Sequence, residues 1–163
     1  MSNYFSDKQV KLLAEAKSSK NYVHLKNENQ SLKDIMNLKN LNKIISMHNC
    51  WDRNNFSLVL DKNIIPFPSF STDGNDLGFS KISPDPIKVG NYIKKGASLV
   101  LNDLIYLSRD IQLLADDLQI ITNGKCQANL YFSMQSHQAF APHYDTHDVF
   151  ALHCEGEKVW NIY

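Results

Sequence analysis

The order in which helical and strand patterns follow one another is the feature that most restricts the fold of this chain. Residues 1–55 carry two helical patterns, whereas residues 56–163 carry mostly short strand patterns with one helix between them. Helices and strands that are segregated in this way are typical of α+β domains. The sequence therefore predicts one α+β domain over residues 1–163, or a β-barrel wrapped by N-terminal helices, since this length suits a single hydrophobic core.

The helical predictions rest on capping residues and on apolar spacing. Ser6 and Gln9 form a capping box ahead of the first helix, and Ser108 caps the third. Gly124 is the predicted C-cap of that third helix. The predicted helices end near Ser18, Ile45 and Asn123-Gly124, and the second begins at Ser31.

Strand patterns dominate the second part of the chain. Residues 64–90 hold four of the five prolines without a clear period, so they are predicted to form a long loop. Strands are predicted on either side of that loop, where β-branched and aromatic residues concentrate. They are Phe56–Leu60, Ala97–Leu101, Gln127–Ser133, His143–Cys154 and Lys158–Tyr163.

Charge and cysteine content exclude several classes of protein. The chain has 17 basic and 17 acidic residues, so its net charge gives no field that would favour nucleic acid or an anionic membrane. The N-terminus lacks the basic and apolar layout of a secretory signal. The three cysteines are an odd number without CxxC spacing, which favours free thiols in a reduced, cytoplasmic setting.

The segment from Ala141 to Phe150 contains the residues most suited to chemistry. On a strand, His143 and Asp145 project from the same face, because side chains alternate between faces. An imidazole and a carboxylate on one face can bind one divalent ion, as in non-haem iron(II) oxygenases. An H-x-D triplet alone is common by chance, so the residues around it decide whether it indicates a metal site.

Those surroundings resemble the JmjC/cupin-like oxygenases, including the ribosomal oxygenases and the asparaginyl hydroxylase that acts on hypoxia-inducible factor. The resemblance is sharp over residues 127–163 and looser over residues 22–126. The shared pattern is Asn129-Leu130-Tyr131, then Pro142-His143-Tyr144-Asp145, then Asp148-Val149-Phe150, then Gly156 and Lys158-Val159-Trp160.

The resemblance implies a role for each of five residues. His143 and Asp145 would be two of the three iron(II) ligands. Lys158 would pair with the distal carboxylate of 2-oxoglutarate, although composition alone would make it a solvated charge at a strand end. Asn129 and Tyr131 would be further cosubstrate contacts. A dicarboxylate buried in a barrel needs a cation at one end and the metal at the other, because desolvation is costly.

One part of the family's site has no counterpart in this sequence. The third iron ligand of the family is a histidine well downstream of the H-x-D motif, and no histidine follows at that distance here. The expected fold is therefore an N-terminal helical region (residues 1–55) and part of a double-stranded β-helix, the jelly-roll or cupin barrel (residues 56–163). We expect a fragment of a longer protein, or a second chain such as a homodimer partner that supplies the remainder, and weak iron binding by this chain alone.

The function implied by the resemblance is oxygenation that depends on iron(II), 2-oxoglutarate and dioxygen. A protein side chain, such as one in a ribosomal protein, is the implied substrate. One alternative is a non-catalytic cupin-like fragment that acts in folding or dimerisation. Another is a cupin that binds a different metal and carries out isomerisation or sugar chemistry.

Overall fold

The protein was analysed as a computed structural model, which describes residues 4–26, 34–76, 79–135 and 137–162. The chain divides into two compact units. The helical unit is drawn from Met1–Ile44, Ser108–Cys126 and Asp145–Tyr163, and the sheet unit from Ile45–Leu107 and Gln127–Tyr144. Within the described ranges, none of the helices is both long enough and apolar enough to cross a bilayer.

Four α-helices have both ends defined within the described residues. They are α1 (Asp7–Ser19), α2 (Leu38–Ile45), α3 (Pro86–Lys94) and α4 (Arg109–Thr122). Short 3-10 turns cover His48–Cys50, Phe67–Ser69 and Leu104–Tyr106.

In the helical unit, the capping predictions for α1 are confirmed. Ser6 accepts a hydrogen bond from the Gln9 backbone N–H, and the Gln9 side chain accepts one from the Ser6 backbone N–H, which completes the capping box. At the other end of α1, Lys17 Nζ donates to Thr122 O at 2.6 Å, which ties α1 to α4. Helix α2 lies within the predicted second helix, whose predicted start at Ser31 lies outside the described residues.

Helix α4 begins as predicted and ends one residue earlier than predicted. The Ser108 side chain accepts a hydrogen bond from the Ile111 N–H, as expected of an N-cap. The prediction that Gly124 ends the helix was wrong, because Asn123 is the left-handed residue there, with φ of 50°. Asparagine adopts this conformation more readily than other residues with side chains.

In the sheet unit, four strands form one antiparallel sheet and two form a hairpin. The sheet has the order β2-β1-β5-β6 and stays open within the described residues, while β3 pairs with β4. The strands are β1 (Phe56–Leu60), β2 (Asn63–Ile64), β3 (Ser71–Asp76), β4 (Phe79–Pro84), β5 (Ser98–Leu101) and β6 (Leu130–Phe132).

The core of the sheet unit lies along the central strands β1 and β5. Leu58 and Leu99 are cross-strand partners, and both are completely buried. Phe56 packs against Trp51 at a ring-centroid distance of 5.8 Å and against Phe70 at 6.0 Å. Burying these side chains is the main source of stability for the sheet.

The prediction of a long loop over residues 64–90 was wrong. This part of the chain forms the β3–β4 hairpin and helix α3. The prolines mark the boundaries of these elements rather than a loop, because Pro86 occupies the first turn of α3, where its missing N–H costs nothing. Asp85 caps the helix by accepting from the N–H groups of Ile87 and Lys88 at 2.9 and 3.0 Å.

Strand predictions were confirmed in the sheet and failed after it. Strands β1, β5 and β6 lie within the predicted ranges. Residues 143–154 and 158–162 form no strand, and Tyr144 in this stretch is 88% exposed. A strand is stable only when a neighbour satisfies its backbone groups, and no described segment pairs with this stretch. Helices with antiparallel sheets are confirmed, whereas a closed barrel is not seen among the described residues.

Candidate metal centre

Strand β6 positions the two predicted cosubstrate residues of the sheet unit. Tyr131 pairs with Val100 of β5, and its ring is more than half exposed. Asn129 directly precedes β6, where its Oδ1 accepts a hydrogen bond from the Asp103 N–H at 3.4 Å. Asp103 has a positive φ of 61°, so this contact supports a turn. Tyr131 is therefore the more available of the two side chains for a ligand.

The orientation of His143 is fixed by its own backbone. Its Nδ1 lies 2.8 Å from Ala141 O, and a carbonyl oxygen only accepts hydrogen bonds, so Nδ1 carries the proton. The other nitrogen, Nε2, then keeps the lone pair that a metal would need. Histidine ligands of metals are commonly held in this way by a hydrogen bond from the second nitrogen.

An aromatic chain connects His143 to strand β6. The Phe140 ring lies 5.9 Å from the Tyr131 ring at an interplanar angle of 86°. Its other contact is with the His143 ring, at 6.1 Å and 65°. Edge-to-face packing of this kind is favourable, because the positive edge of one ring meets the negative face of the other. The structure thus brings together one predicted cosubstrate residue and one predicted metal ligand through a residue that was not predicted.

The segment between β6 and Phe140 is attached to the sheet unit by its side chains. Ser133 Oγ lies 2.6 Å from Ser98 Oγ of β5. Gln135 Nε2 donates to Lys94 O, at the end of α3, at 2.7 Å. His137 Nδ1 lies 2.9 Å from Asp61 Oδ1. The exposed stretch that leads to His143 therefore leaves the sheet along a defined path.

Asp145 and Lys158 belong to the helical unit, and both are exposed. The Lys158 Nζ lies 4.2 Å from the centroid of the Trp160 ring, a cation–π contact. Trp160 is itself 57% exposed. Between these two candidate residues, Asp148 forms an ion pair with Lys17 of α1 at 3.7 Å. This pair attaches the stretch after Asp145 to the helix bundle.

Cys154, the cysteine in this stretch, is poorly suited to bind a metal. Cys50, Cys126 and Cys154 all carry free thiols, as the odd number of cysteines predicted. Burial raises the pKa of the Cys154 thiol above its usual value, and the nearby Glu155 carboxylate adds to the effect. A raised pKa keeps the thiol protonated near neutral pH, when it is a poor metal ligand.

The residues present fit an iron(II) ion in donor type but provide only part of a ligand set. His143 offers Nε2 and Asp145 offers a carboxylate, which are the two kinds of donor in the facial triad of non-haem iron proteins. Among the described residues, no group of three or more His, Cys, Asp or Glu side chains is arranged to hold a metal.

Sequence reasoning missed Phe140 and assigned His137 to a loop without a specific role. No sequence signal pairs Phe140 with Tyr131, because the contact depends on how the segment folds back onto β6. The partner of His137 is Asp61, 76 residues earlier in the chain. Asp61 and Lys62 both have positive φ and form the turn that follows β1.

Comparison with known proteins finds similarity to one family. Residues 101–163 match the JmjC domain model. Over 121 residues, the chain is 29% identical to the bifunctional lysine-specific demethylase and histidyl-hydroxylase NO66 of Dictyostelium discoideum, covering 71% of this chain and 24% of that protein. It is 37% identical over 79 residues to the NO66 protein of Drosophila melanogaster, covering 48% of this chain and 12% of the relative.

The class that these matches point to is the JmjC-domain proteins, to which residues 101–163 of this chain are similar. The particular relatives are NO66 proteins, of which the matched region covers less than a quarter of the length. No solved structure gives a significant match. The matched JmjC region contains His143, Asp145 and Lys158 together with both cosubstrate candidates of β6.

Proposed function

We propose that this chain carries part of the active site of an iron(II)- and 2-oxoglutarate-dependent oxygenase. The observation that carries the proposal is the JmjC match over residues 101–163, which includes every candidate site residue. The orientation of the His143 ring supports it, since the hydrogen bond to Ala141 O leaves Nε2 available.

His143 and Asp145 are the residues that would hold the iron. The His143 imidazole supplies a neutral nitrogen donor and Asp145 a charged oxygen donor. This mixture suits a divalent ion that is intermediate between hard and soft. When bound, iron(II) would activate dioxygen, and the oxidation of 2-oxoglutarate would drive that activation. The protein's own contribution is to hold the imidazole in one tautomer and one orientation, which the Ala141 contact does.

Lys158 is the proposed partner of the distal carboxylate of 2-oxoglutarate. Its ammonium group now lies over the Trp160 ring, a contact worth about 0.5–1 kcal/mol at an exposed site. A charge-assisted hydrogen bond to a carboxylate is stronger where water is excluded, so the cosubstrate competes well for this cation. Tyr131 would donate its hydroxyl to the cosubstrate and Asn129 its amide, both from the edge of the sheet.

The proposed substrate is a side chain of a protein. The NO66 relatives are named for lysine demethylation and histidine hydroxylation, both of which act on protein side chains. A ribosomal protein stays our predicted substrate, and a cytoplasmic setting stays the predicted location. The C–H bond to be oxidised would have to approach the side of His143 that carries Nε2.

Release of succinate tests the proposed function. The chain is incubated with Fe(II), ascorbate and 2-oxoglutarate, and succinate is measured against His143→Ala. His24→Ala is the matched control, since His24 is also an exposed histidine and is not part of the motif. We expect slow succinate release that falls at least tenfold in His143→Ala and is unchanged in His24→Ala. Equal succinate from all three proteins would overturn the assignment of His143.

A non-catalytic role is the second candidate, and one observation favours it. Residues 143–153 and 155–162 are exposed, and no described group of three donors is arranged to hold a metal. A chain that only assists folding or dimerisation would release no succinate at any protein concentration. The same chain would elute in gel filtration as a concentration-dependent dimer.

A further inference from the structure

We propose that His137 is a positioning residue for His143, seated between Asp61 and Gly96 so that the segment leading to His143 leaves the sheet in one direction. The proposal rests on the proposed function, because it concerns the histidine assigned there to the metal. The residues of the seat lie in the sheet unit together with His143.

The seat is built from two turns that flank the buried strands. Asp61 follows β1 and has a positive φ of 49°, and its Oδ1 lies 2.9 Å from His137 Nδ1. Gly96 precedes β5 and has a φ of 101°, a conformation that residues with a side chain rarely adopt. A Cβ on Gly96 would collide with the His137 imidazole, since that ring fills the space where it would stand.

The close approach at Gly96 shows that the seat is specific. An exposed ion pair such as His137–Asp61 contributes little by itself, typically about 0–1 kcal/mol. Here the ring also packs against backbone that only glycine leaves open, which fixes where the imidazole lies. Gln135, two residues before His137, donates a hydrogen bond to Lys94 O and is a second attachment of the same segment.

The seat controls the path of the chain to His143. His143 lies six positions after His137, and an extended segment of that length can reach about 20 Å. Without an anchor, His143 could therefore occupy a large volume. Phe140, midway along, completes the path by packing between Tyr131 and His143. Anchoring at His137 brings Phe140 to Tyr131, and this sets the backbone course that places Ala141 O against the His143 imidazole.

Two glycine variants and two histidine variants test the proposal. Gly96→Ala puts a methyl group where the His137 ring stands, whereas Gly90→Ala, in helix α3, meets no atom within 4 Å. Because alanine at Gly96 is also strained, His137→Ala removes the ring without changing that turn. His137→Gln restores a hydrogen-bond donor for Asp61. Thermal unfolding of each variant checks that the protein is still folded.

The first readout is the tautomer of His143, measured by nitrogen-15 NMR of the imidazole at pH 8. We expect the proton on Nδ1 in the wild type and in Gly90→Ala, and a mixture of tautomers in Gly96→Ala and His137→Ala. His137→Gln should recover part of the wild-type signal. A wild-type tautomer in a folded His137→Ala protein would overturn the proposal.

The second readout is Mn(II), whose unpaired electrons broaden the signals of residues near it. We expect the concentration needed to broaden His143 to rise about tenfold in His137→Ala, as for other groups that orient a metal ligand. If Mn(II) broadens His143 equally in both proteins, the proposed metal ligand stands and the positioning role falls. If the tautomer depends on His137 but Mn(II) never broadens His143, the positioning role stands and the proposed function falls.

Discussion

Similar strand-like sequence patterns lead to different structures in two parts of the chain, strands β1 and β5 and the stretch 143–162. The two central strands form an antiparallel ladder in which Leu58 and Leu99 are fully buried. The stretch 143–162 is also rich in aromatic and β-branched residues, yet it forms no strand and stays exposed except at Cys154. The difference teaches that a strand-like sequence pattern is not sufficient for a strand. A neighbouring strand must also be present to pair with it.

The two sides of the H-x-D motif also differ in how they are held. In the sheet unit, His143 is fixed by Ala141 O, by Phe140 and by the path from the His137 seat. In the helical unit, the ion pair of Asp148 with Lys17 attaches the stretch that carries Asp145. The histidine is therefore held by contacts of its own ring, whereas the carboxylate side is attached through a neighbouring residue.

The largest expected effect separates the core strand from the exposed stretch. Leu58→Ala removes a fully buried side chain and should lower the free energy of unfolding by about 2–5 kcal/mol. Leu152→Ala makes the same chemical change at a side chain that is 36% exposed, and should cost about 1 kcal/mol or less. Urea unfolding followed by circular dichroism measures both. Equal losses would show that residues 143–162 are packed as firmly as the sheet.

An intermediate effect is expected where the exposed stretch is attached to α1. Lys17→Met removes the hydrogen bond to Thr122 O and the ion pair with Asp148, and should destabilise the protein by about 1 kcal/mol. Lys11→Met is the control, because Lys11 on the same helix makes only an exposed pair with Glu15 at 3.9 Å. Its loss should cost a few tenths of a kcal/mol, about the value of such pairs. Matching losses would mean that Lys17 does not anchor the stretch.

The smallest expected effect concerns the half-buried thiol in the otherwise exposed stretch. Because burial and Glu155 raise the pKa of Cys154, alkylation by iodoacetamide should reach half its maximal rate at a higher pH than for a free cysteine. Glu155→Gln should lower that midpoint, and Cys50→Ser with Cys126→Ser isolates the signal. The midpoint of an ordinary thiol would show that Cys154 is not buried.

The raised pKa also sets the sign of a stability change. The folded state holds the Cys154 proton more tightly than the unfolded chain does, so its contribution is fully present below the pKa of the unfolded thiol. It is lost as the pH rises from there through the higher pKa of the folded state. Urea unfolding of the same double-serine background across this range should show a small decrease in stability that Cys154→Ser removes.

Local signals were read correctly from the sequence, and non-local ones were not. The capping residues Ser6 and Ser108 each act on a backbone group three residues away, so their helices could be predicted. The pair Asp85-Pro86 carried an equally local helix start, which was hidden by treating the prolines as loop residues. The His137–Asp61 contact depends on chain segments that only the fold brings together.

For the site, residue types and their order could be predicted from the sequence, but the geometry could not. The JmjC resemblance was confirmed by the match over residues 101–163. Strand alternation placed His143 and Asp145 on one face, yet the segment is not a strand, so that reasoning does not describe their orientation. The tautomer of His143 follows from a backbone carbonyl two residues away, which no residue pattern predicts.

The most direct test of the central claim is the binding of Mn(II) to the whole chain, measured by equilibrium dialysis. The account predicts weak, one-to-one binding that is lost in His143→Ala and in Asp145→Ala, with no further loss when the two are combined. His24→Ala should bind as the wild type does. Binding that survives in the double variant would contradict the claim that these two residues form the metal site.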